Sequence, residues 1–105
     1  MTYILGGWQS DFARNYAREG LEIGDGFAEA VHGALAETGL DPEDIEVGHV
    51  GNFVGDLFTG QGMLGGFFAM ADERFTGMPA SRHEAACASG SLAVLAAAAD
   101  IASGR

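Results

Sequence analysis

The sequence has no lysine, one cysteine and two prolines among its 105 residues. Because there is no second cysteine, an intrachain disulfide and any redox or zinc site built from paired cysteines are excluded. Fifteen acidic residues stand against five basic ones, which gives a net charge of −10. Nucleic acids and anionic membranes attract positive surfaces, so this balance opposes both as partners. The basic residues are all arginines, namely Arg14, Arg18, Arg74, Arg82 and Arg105.

Long apolar runs are missing as well. No run approaches the ~18 residues that a membrane-spanning helix requires. The first residues also lack the basic region followed by an apolar one that marks an export signal. We therefore expect no membrane span, no export and a cytoplasmic protein, and an unpaired cysteine agrees with a reducing compartment.

The composition that remains favours a packed globular unit. Hydrophobic residues make up 48% of the chain and the mean hydropathy is +0.12, which argues against disorder. We expect one small domain, residues 1–105, with a thin core, because short chains bury a small share of their surface.

Hydrophobic periodicity predicts three strands and three helices in alternation. Residues 2–8 are apolar and β-rich and predict a first strand. A helix follows from Asp25, its expected N-cap, to Gly39, because apolar residues recur there at helical spacing. Residues 45–54 predict a second strand. A second helix is predicted from Gln61, over the apolar positions Met63, Leu64, Phe67, Phe68, Ala71 and Phe75.

Residues 80–86 predict the third strand and residues 90–103 the third helix, which is apolar nearly all round. The order β-α-β-α-β-α indicates an α/β fold with a parallel sheet. Three parallel strands leave two open edges, and parallel sheets occur almost only with both faces covered. The sequence therefore predicts part of a fold that is incomplete without further chain.

Cys87 is the candidate nucleophile. It stands between an apolar approach and the predicted third helix, where free backbone N–H groups and the helix dipole favour a thiolate over a thiol. Small residues, Ala88, Ser89 and Gly90, follow directly and would let a substrate carbonyl approach the sulfur.

Around this cysteine the chain resembles the N-terminal part of a thiolase, a condensing enzyme that acts on acyl-CoA thioesters. Weaker signs are Tyr3-Ile4-Leu5-Gly6-Gly7 and Asp41-Pro42-Glu43-Asp44-Ile45. The lead-in Glu84-Ala85-Ala86 is closer to sterol-carrier-type and archaeal or actinobacterial thiolase-like proteins than to the common biosynthetic thiolases. The strongest stretch runs from Gly77-Met78-Pro79 through Cys87-Ala88-Ser89-Gly90 to Ile101-Ala102-Ser103-Gly104.

The resemblance implies a thiolase-like fold of which this chain forms the N-terminal portion of the first half. It implies that Cys87 forms an acyl-enzyme thioester in the condensation or the cleavage of a 3-ketoacyl-CoA, with coenzyme A thioesters as substrates and neither a tightly bound cofactor nor a metal. The histidines and second cysteine that complete the family's site have no counterpart here, so the chain alone is expected to be inactive. Partners are then the remaining thiolase polypeptide and further subunits, in a homodimer, a tetramer or a hetero-oligomer, with an interface near residues 80–86.

Two other functions stay open. The chain could be a non-catalytic structural subunit of a thiolase-like assembly. It could also be a nucleotide-binding α/β module, because Gly60, Gly62 and Gly65 form a G-x-G-x-x-G pattern with Glu84 further on as a ribose-binding acid.

The three histidines are expected to be ordinary surface or core residues. Residues four apart in a strand are separated by ~13 Å along its axis, which opposes a pairing of His83 with Cys87. His32 and His49 have no sequence relation to the cysteine.

Overall fold

The computed structural model describes residues 1–53, 55, 59–60 and 62–104. Three short 3₁₀ turns, Pro42–Asp44, Leu64–Gly66 and Glu73–Phe75, lie among the regular elements. In chain order these elements are α1 (Ile23–Thr38), β1 (Gly48–Gly51), α2 (Phe67–Ala71), β2 (Ala80–His83) and α3 (Ser89–Ser103). Two compact units contain them. The described residues of the first fall within 1–4, 46–66 and 78–105, and those of the second within 5–45 and 67–77.

The first unit is built on the parallel pair β1 and β2. Gly48 lies opposite Ala80, and Gly51 lies opposite His83. The ladder continues past one end of the pair, where the Asn52 amide donates to the His83 carbonyl at 3.0 Å. Parallel strands need a crossover between them, and residues 52–79 provide it. The predicted parallel α/β arrangement is confirmed for these two strands.

Helix α3 packs on both strands through small and polar side chains. Its buried residues are Ser89, Ala93 and Asp100, which recur at the spacing of one helix face. The approach is closest at Gly51, where a Cβ atom would overlap the Ser89 carbonyl. A glycine in β1 therefore allows α3 to lie directly on the strand.

The second unit holds α1 against α2 through aromatic rings. Phe27 of α1 contacts Phe67 and Phe68 of α2, with ring centroids 5.7 and 4.8 Å away. Helix α1 starts with a capping box between Glu22 and Asp25, and it ends at Gly39 in the left-handed conformation. The predicted helix and its stop at Gly39 are confirmed, while Asp25 is the third helical residue and not the N-cap.

Two predicted elements differ from the structure. Residues 2–8 form no strand, and their large apolar side chains are exposed, including Tyr3, Ile4 and Leu5. A strand needs a neighbour for its backbone groups, and the residues described offer none to this segment. The second strand is shorter than predicted, and Val54, the end of that prediction, lies outside the described residues.

The predicted helix from Gln61 to Phe75 is also interrupted. Its start lies outside the described residues, Leu64–Gly66 forms a 3₁₀ turn, and α2 covers only five residues. The Asp72 side chain accepts a hydrogen bond from the Arg74 amide and caps a separate turn, Glu73–Phe75. Local side-chain bonds of this kind compete with helix continuation.

Helix α3 was predicted to be buried on several sides, but here only one face is covered. Leu92, Val94, Leu95 and Ile101 remain exposed. Ala86–Ser103 is an 18-residue apolar stretch with a mean hydropathy of 1.5, although the sequence prediction found no run of that length; core helices of soluble proteins share this length and composition, and α3 itself has 15 residues. The small α/β arrangement is compatible with a partial thiolase-like domain.

Candidate active site

Cys87 lies on the turn that joins β2 to α3. The helix begins at Ser89 with Ala88 as its N-cap, so the sulfur-bearing residue lies one position before the N-cap. Its thiol is free and exposed. The predicted placement at the start of a helix is therefore confirmed, and a thiolate there would meet the positive end of the α3 dipole.

Side chains from both sides of the cysteine fold this turn. The Glu84 carboxylate accepts a hydrogen bond from the Ala86 amide. The Ser89 hydroxyl accepts from the Ala85 amide at 2.9 Å and donates to the Ala86 carbonyl at 2.7 Å. Glu84 and Ser89 thus hold the turn from its two ends and leave Cys87 at its apex.

Ala86 has a backbone φ of +50°, and it is the one non-glycine residue of the described chain with positive φ. An L residue in this region brings its Cβ close to the carbonyl oxygen and loses roughly 1–2 kcal/mol. Strained backbone of this kind is frequent at functional sites. The turn hydrogen bonds offset that strain and project the next residue, Cys87.

A second group of polar side chains lies where α3 crosses the two strands. His49 of β1 contacts Asp100 of α3, with Nε2 2.6 Å from the carboxylate oxygen Oδ2. Its Nδ1 lies 2.8 Å from Nε2 of His83 on β2. The Ser81 hydroxyl lies 3.2 Å from that Nδ1 and 3.1 Å from the His83 Nε2. We call these four residues the His49 cluster.

Within the His49 cluster the contact between His49 and Asp100 is covered, whereas Ser81 is exposed. The side chains of His49 and Asp100 are each 11% exposed. A cavity of about 320 Å³ borders the cluster, and its lining is completed by small and apolar residues. Cys87 is not among the residues that line it. They are Val47, His49, Ala80, Ser81, His83, Ala96, Ala99 and Asp100.

Hydrogen-bond chemistry fixes the proton arrangement in this cluster. A carboxylate only accepts, so the bond to Asp100 requires a proton on Nε2 of His49. Neutral His49 then presents a lone pair at Nδ1, which accepts the N–H of His83 Nε2. The contact between the imidazoles therefore contains one proton.

The sequence prediction missed this cluster, because it treated the three histidines as ordinary residues. His49 and His83 lie 34 positions apart, and only the strand pairing brings them together. An available signal was the presence of one histidine in each of two neighbouring parallel strands. For His32 the ordinary interpretation agrees with the structure, since its Nε2 bonds to the Ala71 carbonyl at 2.8 Å. His83 bonds to His49 within the His49 cluster, which agrees with the sequence argument against a pairing of His83 with Cys87.

The alternative nucleotide site finds little support. Strand β1 ends at Gly51, well before Gly60, whereas a dinucleotide fingerprint follows its strand immediately. The glycine segment leads into a 3₁₀ turn and the five-residue α2. Gln61 of the pattern lies outside the described residues, and the Glu84 carboxylate is bonded to the Ala86 amide.

The described residues contain no group of three or more histidine, cysteine, aspartate or glutamate side chains that could hold a metal ion.

No family model matches the chain. It is 36% identical over 101 residues to the acetyl-CoA acetyltransferase of Methanocaldococcus jannaschii. The matched segment covers 96% of this chain but 25% of the relative, so the chain spans about a quarter of the length of the curated protein that it matches. This similarity supports a thiolase-like fragment and, at that level, the resemblance drawn from the sequence.

Proposed function

We propose that this chain supplies the acyl-accepting cysteine of a thiolase-type acyltransferase. The observation that carries the proposal is the exposed thiol of Cys87 at the start of α3, in a chain similar to an acetyl-CoA acetyltransferase. The branch we favour is the sterol-carrier-type or archaeal and actinobacterial one. A further polypeptide would supply the rest of the fold. We call the protein that it forms with this chain the completed assembly.

In the proposed reaction the Cys87 thiolate attacks the carbonyl carbon of an acyl-CoA thioester. A new C–S bond forms, the C–S bond to coenzyme A breaks, and the coenzyme A thiolate leaves with a proton from an acid. The carbanion of a second acyl-CoA, deprotonated next to its carbonyl, then attacks the acyl group. A 3-ketoacyl-CoA is released and the Cys87 thiolate is regenerated. Such covalent catalysis divides one difficult step into two easier ones.

The developing oxyanion needs hydrogen-bond donors. Amides of this turn are already engaged at Ala86, Ala88 and Ser89. The Cys87 amide is not among them, so we propose it as one donor, worth about 3 kcal/mol of the barrier. The base that activates the thiol would come from the rest of the fold, because both His49 and His83 are bonded within their own cluster.

The negative charge of the chain bears on where coenzyme A would be bound. Coenzyme A is a polyanion and this chain has a net charge of −10, so the groups that bind its phosphates would lie elsewhere in the completed assembly. We propose acyl-CoA as the substrate, a cytoplasmic location, and a dimer, tetramer or hetero-oligomer with an interface near residues 80–86.

Covalent labelling tests the proposal. The completed assembly is incubated with acetyl-CoA, quenched in acid and digested, and the peptide that contains Cys87 is examined by mass spectrometry. We expect one added acetyl group on that peptide in the wild type and none in Cys87→Ser. Iodoacetamide should alkylate Cys87 rapidly, and acyl-CoA should suppress the alkylation.

The outcomes separate the two remaining functions. Rapid alkylation without an acetyl group would exclude acyl transfer. An unlabelled Cys87 in an otherwise active assembly would favour the non-catalytic structural subunit, because the nucleophile would then lie in another chain. The 105 residues alone should show no turnover under any of these conditions.

A further inference from the structure

We propose that Asp100, His49 and His83 are positioning residues for Cys87, and that they act by fixing the orientation of α3 on the sheet. The inference rests on the proposed function for its meaning in catalysis. The two bonds that carry it join α3 to β1 at 2.6 Å and β1 to β2 at 2.8 Å.

Helix α3 is held at two separated points. Near its first turn, the backbone of Ser89 lies directly on Gly51 of β1. In its last turns, Asp100 bonds to His49 of the same strand. The helix rises ~1.5 Å per residue, so these points are about 16 Å apart. Two fixed points determine the direction of the helix, whereas a single point would let the helix rotate about it.

The bond at Asp100 is the polar fixing point of a helix that has few others. The face that α3 turns to the sheet consists largely of alanine, and its large side chains, such as Leu92 and Leu95, are exposed. Small side chains make few contacts and resist sliding weakly. A short, covered hydrogen bond between a carboxylate and an imidazole therefore supplies the directional restraint that the packing lacks.

Cys87 lies one residue before the N-cap of this helix, so a change in the direction of α3 moves the sulfur. Displacement of a reacting group by ~1 Å can lower a rate about 10²-fold. Loss of the Asp100 bond should therefore lower the rate of the chemical step while substrate binding is maintained elsewhere.

The hydrogen bond between His49 and His83 depends on how many protons the two facing ring nitrogens carry. The contact between the imidazoles holds one proton, and two imidazolium rings would present N–H groups to each other with no lone pair between them. The charged residues of the packed elements are few: Asp100 is the one charged residue of α3, β1 has His49, and β2 has Arg82 and His83. Arg82 alternates away from its neighbours on β2 and donates to the Gly62 carbonyl. The bond between His49 and His83 therefore needs one proton, and no more, between the two rings.

The test uses the completed assembly with Asp100→Asn, Asp100→Leu, His49→Phe and His83→Phe, and with His32→Gln as a histidine control outside the cluster. Asparagine keeps an acceptor for the His49 N–H, whereas leucine of similar volume does not. We expect Asp100→Leu to lower kcat about tenfold or more with KM within about twofold, and Asp100→Asn to restore most of it. His32→Gln should match the wild type, because its contact lies in the other unit.

Alkylation of Cys87 by iodoacetamide gives a second readout that needs no acyl transfer. We expect the ratio of the wild-type rate to the His83→Phe rate to be several-fold or more at neutral pH. If Cys87 did not transfer acyl groups, this ratio of alkylation rates would still be expected.

The proposal is overturned if all four variants, folded by circular dichroism, keep wild-type kcat and alkylation rates. It is also overturned if Asp100→Leu and Asp100→Asn lower kcat equally, or if the alkylation ratio of wild type to His83→Phe is close to one. Such results would assign the His49 cluster to packing alone.

Discussion

Ala86 carries the backbone strain of the turn that presents Cys87. Its φ of +50° suits glycine better than any L residue, yet two side-chain bonds hold it there, from Glu84 and Ser89. The identity of this residue therefore affects stability through conformation and not through contacts.

We expect Ala86→Gly to leave the completed assembly as stable or to stabilise it by up to about 1 kcal/mol, because glycine relieves the strain. The matched changes Ala85→Gly and Ala97→Gly, the latter in the interior of α3, should each destabilise by roughly 0.5–1 kcal/mol, since glycine only adds freedom to the unfolded chain there. Denaturant unfolding of the three variants measures the difference. Equal losses in all three would show that Ala86 is not strained.

Asp72 is a residue whose charge contributes to stability. The Arg74 guanidinium and amide both donate to its carboxylate, which lowers the pKa of Asp72 from its usual 3.8 to about 2. A group with a depressed folded-state pKa contributes stability that is present above its unfolded pKa and lost as the pH falls toward about 2.

We therefore expect Asp72→Asn to lower stability at neutral pH, and its difference from the wild type to fade as the pH falls from 4 towards about 2. Glu73→Gln, one position further on, serves as the control of equal charge. Thermal unfolding of the completed assembly at a series of pH values measures both variants. A difference that is constant across this range would contradict the role of the Arg74 pair.

At the scale of elements, the packing of α3 on β1 depends on the absence of a side chain at Gly51. An added methyl group would meet the backbone of Ser89 and Gly90, which cannot rotate away. The helix would have to lift from the strand.

We expect Gly51→Ala to destabilise the completed assembly by about 1–3 kcal/mol and to slow acylation of Cys87, because overpacking moves the helix. Gly90→Ala is the matched control for the stability measurement alone, since nothing lies within 4 Å of a Cβ there and alanine favours helix. Chemical denaturation and the acylation assay report the two effects. If Gly51→Ala behaves like Gly90→Ala, the close approach is not a constraint.

Elements with strong local signals could be predicted from the sequence. Helix α1 has an apolar stripe and a glycine stop, and α3 has a run of alanines after small turn residues, so the ends of both are predicted to within three residues. Elements that depend on neighbours could not be. Residues 2–8 have β-rich composition but no partner strand, and the helix predicted from Gln61 is divided by the cap at Asp72.

The same difference between local and non-local signals holds for the candidate site. Cys87 could be placed at a helix start because the residues after it are local and small. The His49 cluster could not, because its members come from two strands and a helix that only the folded chain brings together.

At the scale of the whole molecule, much apolar surface lies uncovered. Among the residues that the structure describes, the buried hydrophobic side chains are Leu64, Phe67, Phe75 and Ala93. Exposed large apolar residues are found on α3 and in the first residues, Leu95 and Ile4 for example. Monomeric proteins rarely leave extended apolar patches exposed, which favours further polypeptide over these surfaces.

We expect the purified 105 residues to bind a hydrophobic dye and to aggregate, and the completed assembly to do neither. Dye fluorescence and light scattering at equal concentration distinguish them, with Leu95→Gln as a variant that should reduce dye binding by the isolated chain. A cooperative, dye-free monomer of the 105 residues would contradict this expectation.

The parallel pairing of Gly48 with Ala80 and Gly51 with His83 has a consequence for synthesis on the ribosome. When β1 emerges, the strand that it pairs with has not yet been translated, and α3 follows later still. Nascent chains stalled before residue 80 should thus be cut readily by protease around β1, and those released beyond α3 should resist. The cysteine would then reach its folded position only after α3 has emerged and packed on the two strands.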